Sequence, residues 1–231
     1  MAIILLIGAI AFALSPVIFP EFAGYRPDLF PIRQDQPPVQ PAGWAFSIWG
    51  VIYAWLILAA GYGLLRSRDS DAWRPARLWL LGSLLVGFFW IPVANRMPGL
   101  ATLMILAMLT GAAVAMLRAP REDPWRGVLA IGLYAGWLTA ASAVSIGIWL
   151  AGHGWLAPVP AAIVCLAGAA ALAFWLQTLR PDVWTYGAAV VWALVGVLVN
   201  NLDGRSGLVA GLAAILTLAL LGRIWMGLRR I

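Results

Sequence analysis

Residues 40–55 read QPAGWAFSIWGVIYAW, a stretch in which Pro41 and Gly43 lead into Trp44, Phe46, Trp49, Tyr53 and Trp55. Proline removes a hydrogen bond from a helix interior, so Pro37, Pro38 and Pro41 mark an extended approach and the helix begins after them. From Trp44 to Leu65 no charge interrupts the apolar run. A helix needs about 20 such residues to cross roughly 30 Å of hydrocarbon. The stretch therefore opens a transmembrane helix. One or two aromatics suit its entry into the headgroup region; five rings within roughly three turns ask for another explanation.

The rest of the chain is of the same kind. Its 231 residues are 63% hydrophobic and 10% charged, where a soluble domain has roughly a quarter of its residues charged. Lipid must be part of its solvent. Eight apolar runs are long enough to span, at about 2–22, 44–65, 76–95, 99–118, 127–151, 157–179, 183–202 and 207–228. Only Asn95-Arg96-Met97-Pro98 separates the third from the fourth, and Pro98 makes a tight turn there. The first run lacks the basic leader of a signal peptide and reads as a retained span. The expected fold is all-α, a polytopic transmembrane helical bundle of about eight spans.

All 15 basic residues are arginine and the net charge is +6. Eleven of them (Arg66, Arg68, Arg74, Arg77, Arg118, Arg121, Arg126, Arg180, Arg223, Arg229 and Arg230) fall on the side that holds both termini, against Arg26, Arg33, Arg96 and Arg205 on the other. This bias predicts an integral membrane protein with both termini cytoplasmic. It is not the basic stripe of a nucleic-acid binder, so no nucleic-acid partner is expected. The longest loop, about 23–43, lies outside and carries five prolines. It reads as an extended cover that either caps a site or merely connects.

The polar residues exclude several functions. All nine acids sit at span ends or in loops, whereas ion-coupled transporters keep ionisable groups inside the membrane. No Ser-His-Asp set, carboxylate pair or phosphate-cradling glycine loop can be assembled. His153 stands alone in AGHGW and Cys165 alone in AAIVCLAGAAALAF, so neither a metal site nor an internal disulfide is expected, and no cofactor is required.

What remains is aromatic. Of fourteen tryptophans, Trp44, Trp73, Trp125, Trp155, Trp184 and Trp225 lie near span ends and fit an interfacial belt, as Trp79 can. Trp49, Trp55, Trp90, Trp137, Trp149, Trp175 and Trp192 stand deeper or on a proline-bearing stretch. Trp49 and Tyr53, four apart, share a helix face, as do Tyr134, Trp137, Ala141, Ser145 and Trp149. Such a face suits a tight helix contact or a slot for a flat apolar ligand held by stacking and indole N–H donors. On the sixth span, Gly168, Ala169 and Ala170 are small enough for close packing.

These elements resemble the signature of the TspO/MBR family, the tryptophan-rich sensory proteins related to the mitochondrial translocator protein. PAGWAFSIWGVIYAW has the proline-rich approach and the Trp followed four residues later by Tyr, here Trp49 and Tyr53. Trp90-Ile91-Pro92 is similar to the family's Trp-Ser-Pro, and Leu133-Tyr134-Ala135-Gly136-Trp137 to its Pro-Tyr-x-x-Trp without the proline, with Ala141 and Trp149 at the family's spacing. Three further positions depart: Ala45 stands where the family has Phe, and Gly87 and Ser145 where it has Asn. The motifs cover about residues 1–152, a five-helix unit; residues 153–231 supply three further helices, as in longer bacterial members. The resemblance implies a helical bundle with a cavity open toward the 23–43 loop, binding a porphyrin, another tetrapyrrole or a sterol-like lipid. Trp49 and Trp137 would contact the ring, and family members have been linked to light-dependent porphyrin breakdown through such tryptophans. Tyr53, Trp90, Tyr134 and Ala141 would line the same cavity, and Trp44 and Ser145 complete the candidate set. The expected function is a receptor or sensor. Tryptophan-assisted porphyrin photo-oxidation, and a structural role as a homodimer or as a subunit with a membrane-protein partner, are the alternatives.

Overall fold

The computed structural model describes residues 1–19, 22, 24–121, 127–202 and 204–229, and these form helices and turns with no strand. In lipid a backbone must satisfy its own hydrogen bonds, and long apolar runs do so as helices. The chain enters through α1 (Ala2–Ile18). After the 24–42 loop, a 3-10 turn (Gly43–Ser47) runs into α2 (Ile48–Arg66). Then come α3 (Arg74–Phe88), α4 (Trp90–Ala94), α5 (Pro98–Arg118), α6 (Val128–Gly152), α7 (Pro158–Leu179), α8 (Trp184–Leu202) and α9 (Gly207–Leu228). Among the described residues, six helical segments are long and apolar enough to cross a membrane: Gly43–Arg66 and α5 to α9.

The two remaining expected spans differ from their reading. α1 ends at Ile18, where Phe19 turns to extended backbone, rather than at about 22; Pro20 and Glu21 lie outside the described residues. The run at 76–95 is not one helix but α3 and α4, broken at Phe89. Pro92 has no N–H to give to the Phe88 carbonyl. The chain tightens just before it, with the Phe89 N–H donating to Val86 O at 3.2 Å. Trp125, assigned to the belt, falls outside the described residues.

α6 is the central post, buried on nearly every side. It packs on α5, α7 and α8, while α1 packs against α2 and α3, and α9 backs α7 and α8. Glycines let α6 and α8 come close. A Cβ at Gly136 would stand 2.1 Å from Tyr186 O, and one at Gly132 would stand 2.3 Å from Val183 Cγ1. Gly168 faces no neighbouring helix of this chain, since a Cβ there would meet nothing within 4 Å. Arg180, 3% exposed, ties the α7–α8 turn to the end of α5: its Nη1 donates to Met116 O and to Ala119 O, and its Nε and Nη2 hold Asp182. One continuous hydrophobic core runs from Leu5 to Ile224 and passes residue 152 without a break.

The 24–42 loop is a packed plug. Phe30, Gln34 and Val39 are buried, and the Ile32 N–H donates to Gly152 O at 2.8 Å. Its far end is held by α8: Asn200 Nδ2 donates to Gln40 O and Asn201 Nδ2 to Pro38 O, both at 2.8 Å. The Ala42 N–H donates to Gly196 O at 3.0 Å.

Candidate ligand cavity

Under this plug lies a cavity of about 330 Å³. Its aromatic wall follows from helical spacing. Trp49 and Tyr53, one turn apart on α2, stack with ring centroids 5.3 Å apart and planes 17° from parallel. Phe12 of α1 meets both edge-on, at 5.9 and 5.2 Å. Trp137 of α6 meets Trp49 edge-on at 6.1 Å and Phe46 at 5.7 Å. Trp90 closes the side nearest α5, with its indole N–H donated to Ala101 O at 2.9 Å. The opposite wall is aliphatic and comes from Leu166, Ala169 and Ala170 of α7 and Val190, Ala193 and Leu194 of α8.

Of the residues singled out from the sequence, Trp49, Tyr53, Trp90, Trp137, Ala141 and Ser145 line this one space. Tyr134 stands a layer behind, fully buried, with its hydroxyl 3.0 Å from Ser83 Oγ and its ring edge-on to Phe12 at 5.6 Å. Ser83 in turn donates to Met108 O, so Tyr134 joins α6 to α3 and α5 rather than facing the cavity. Trp44 is 44% exposed and lies outside, edge-on to Trp192 at 4.9 Å. Trp192 donates its indole N–H to Ala45 O at 2.8 Å and thereby fixes the entry to α2.

The cavity's few polar groups are ordered by proton bookkeeping. Thr102 donates its one hydroxyl proton to Pro98 O at 2.9 Å, so it accepts from Ser145 at 2.8 Å. Ser145 then accepts from the Tyr25 hydroxyl at 2.6 Å. Burial pushes the Tyr25 hydroxyl above its ordinary range, against the hydrogen bonds to Ser145 and Thr102, and keeps it a neutral donor. This chain pins the cap loop to α6 and α5. The Trp137 indole N–H, in a residue 2% exposed, is buried and has no partner among the described residues.

The departures at Gly87, Ala45 and Ser145 have steric or polar reasons. A side chain at Gly87 would enter the Phe12 ring, 2.5 Å from Cε2. Ala45 is fully buried where a Cβ at Gly196 would come within 2.9 Å of its own, and Ser145 belongs to the hydroxyl chain. Other lining residues carried no sequence signal. Phe12 and Ser15 of α1, Tyr25 and Gln40 of the loop, and the α7 and α8 aliphatics look like ordinary membrane or loop residues until the helices assemble. Among the described residues no three His, Cys, Asp or Glu side chains gather as a metal site.

No curated protein and no solved structure matches the chain. A family model described as TSPO-like protein matches residues 32–226, from the cap loop into α9 and well past residue 152, where the motifs end. That match spans most of the chain, and the chain accordingly belongs to the TSPO-like protein family.

Proposed function

We propose that this membrane protein is a receptor or sensor whose cavity binds a flat apolar ligand, a porphyrin, other tetrapyrrole or sterol-like molecule, with an acceptor atom on its edge. The observation that carries the reading is the buried indole N–H of Trp137, unpartnered among the described residues, at the wall of a largely apolar cavity. A buried donor left unsatisfied costs about 1–3 kcal/mol, and a ligand oxygen or nitrogen removes that cost. The stacked Trp49–Tyr53 pair offers a ring face, and the volume falls at the lower end of the roughly 300–1,000 Å³ of small-molecule pockets. Family membership supports a sensor or receptor role in the membrane.

Titration of the detergent-purified protein with protoporphyrin IX, followed by tryptophan quenching and the porphyrin absorption band, tests the reading. Saturable binding should weaken by about tenfold or more in Trp49→Leu/Trp137→Leu, one tenfold step being roughly 1.4 kcal/mol. Unchanged affinity in that variant removes the hypothesis. Light-dependent breakdown is the second reading, favoured by two tryptophan rings on one cavity. With dissolved oxygen as oxidant, illumination should bleach bound porphyrin in the wild type and spare it in Trp137→Phe. A stable spectrum in both leaves binding alone.

A further inference from the structure

A second cavity, of about 260 Å³, lies toward the opposite end of the bundle between α1, α2 and α3. Ala9, Leu56, Ala59 and Leu80 form its apolar part, and Arg66 and Arg77 stand where α2 ends and α3 begins. Arg77 is 4% exposed. Among the described residues its guanidinium donates only to neutral oxygens: Nη1 to Arg68 O at 3.0 Å, and Nη2 to Gly63 O at 3.2 Å, Ser67 O at 2.7 Å and Ser67 Oγ at 2.9 Å. These bonds cap the C-terminus of α2, whose carbonyl dipoles offset part of the charge. Among the described residues no carboxylate pairs with Arg77 or Arg66; Asp69 attracts Arg77 only through space. A buried cation with no carboxylate paired to it among the described residues favours an anion that reaches it. An anion with an apolar tail suits the rest, because Leu5, Ala9, Leu56 and Leu80 line the space between α1, α2 and α3, while Tyr62, Ser67, Ser70 and Trp73 are among its other lining residues.

We propose that this cavity binds a single-chain anionic amphiphile, its alkyl chain between α1, α2 and α3 and its carboxylate or phosphate head at Arg66 and Arg77. The site shares no lining residue with the aromatic cavity, so it stands or falls apart from the reading given above. Native mass spectrometry of delipidated protein in a non-ionic detergent, titrated with dodecyl phosphate, is the test. Dodecanol and inorganic phosphate serve as the two half-ligands. One dodecyl phosphate should bind per chain, saturably, with neither half-ligand matching it. Arg66→Gln leaves the α2 cap bonds in place and should weaken binding by about tenfold. Ala59→Phe fills the apolar part without touching a charge and should abolish it, whereas Trp49→Leu/Trp137→Leu should bind as the wild type does. Equal binding of dodecanol, or binding indifferent to both Arg66→Gln and Ala59→Phe, overturns the proposal. Inorganic phosphate competing at the same concentration overturns the alkyl half and leaves a free-oxyanion site.

Discussion

At the scale of single residues, Trp137 and Tyr134 show how one helix face divides its labour. They lie three apart on α6, yet Tyr134 spends its hydroxyl on Ser83 while the Trp137 N–H finds no acceptor among the described residues. Trp137→Phe keeps most of the ring and removes the orphaned donor. The unliganded protein should therefore unfold at an unchanged or slightly higher temperature in detergent, while porphyrin affinity falls by about fivefold, the worth of roughly one hydrogen bond. A lowered midpoint with unchanged affinity would make Trp137 a packing residue only. The shared face was readable from spacing; which member faced the cavity was not. That depended on Ser83 and Met108, residues on other helices that claim the Tyr134 side of α6.

At the scale of elements, the contact between α6 and α8 sets the geometry of everything around it. Gly136 allows the approach, and a methyl group there meets Tyr186 backbone at 2.1 Å, which no rotamer change relieves. Gly136→Ala should cost about 2 kcal/mol, seen as a lower unfolding midpoint in detergent. Gly168→Ala, on the open face of α7, should be neutral or slightly stabilising because alanine is the better helix former. If both variants unfold alike, the close approach is not what holds the pair. α8 also clamps the cap loop through Asn200 and Asn201, whose partners lie 160 and 163 residues away in sequence. No local pattern announces a bond of that separation. The break at Phe89 is the reverse case: Pro92 was visible, but it took the assembled turn to show that the run becomes two helices rather than one bent span.

At the scale of the whole molecule, the arginine asymmetry and the two cavities define opposite ends of the bundle. The end that carries Arg66, Arg77 and Arg118 holds the second cavity, and the capped end holds the first. Eleven arginines against four predict that the richer end faces the cytoplasm. A C-terminal alkaline phosphatase fusion should then be inactive and a green fluorescent protein fusion bright; the opposite pair of outcomes would invert the topology. The sequence by itself determined that the chain spans a membrane, where nearly every helix runs, that intramembrane acids are missing, and which motifs mark its family. Those properties follow from hydropathy, proline placement and short-range periodicity, all of which act within a few turns. Only the tertiary structure decided that α7 and α8 wall the aromatic cavity, that the proline-rich loop is a fastened plug, and that Arg77 is buried with its guanidinium on the carbonyls that end α2. Each of these rests on which helix faces which, and in lipid that choice is made by close packing and hydrogen bonds between distant segments, because apolar surface is equally at home against a neighbour or against the acyl chains.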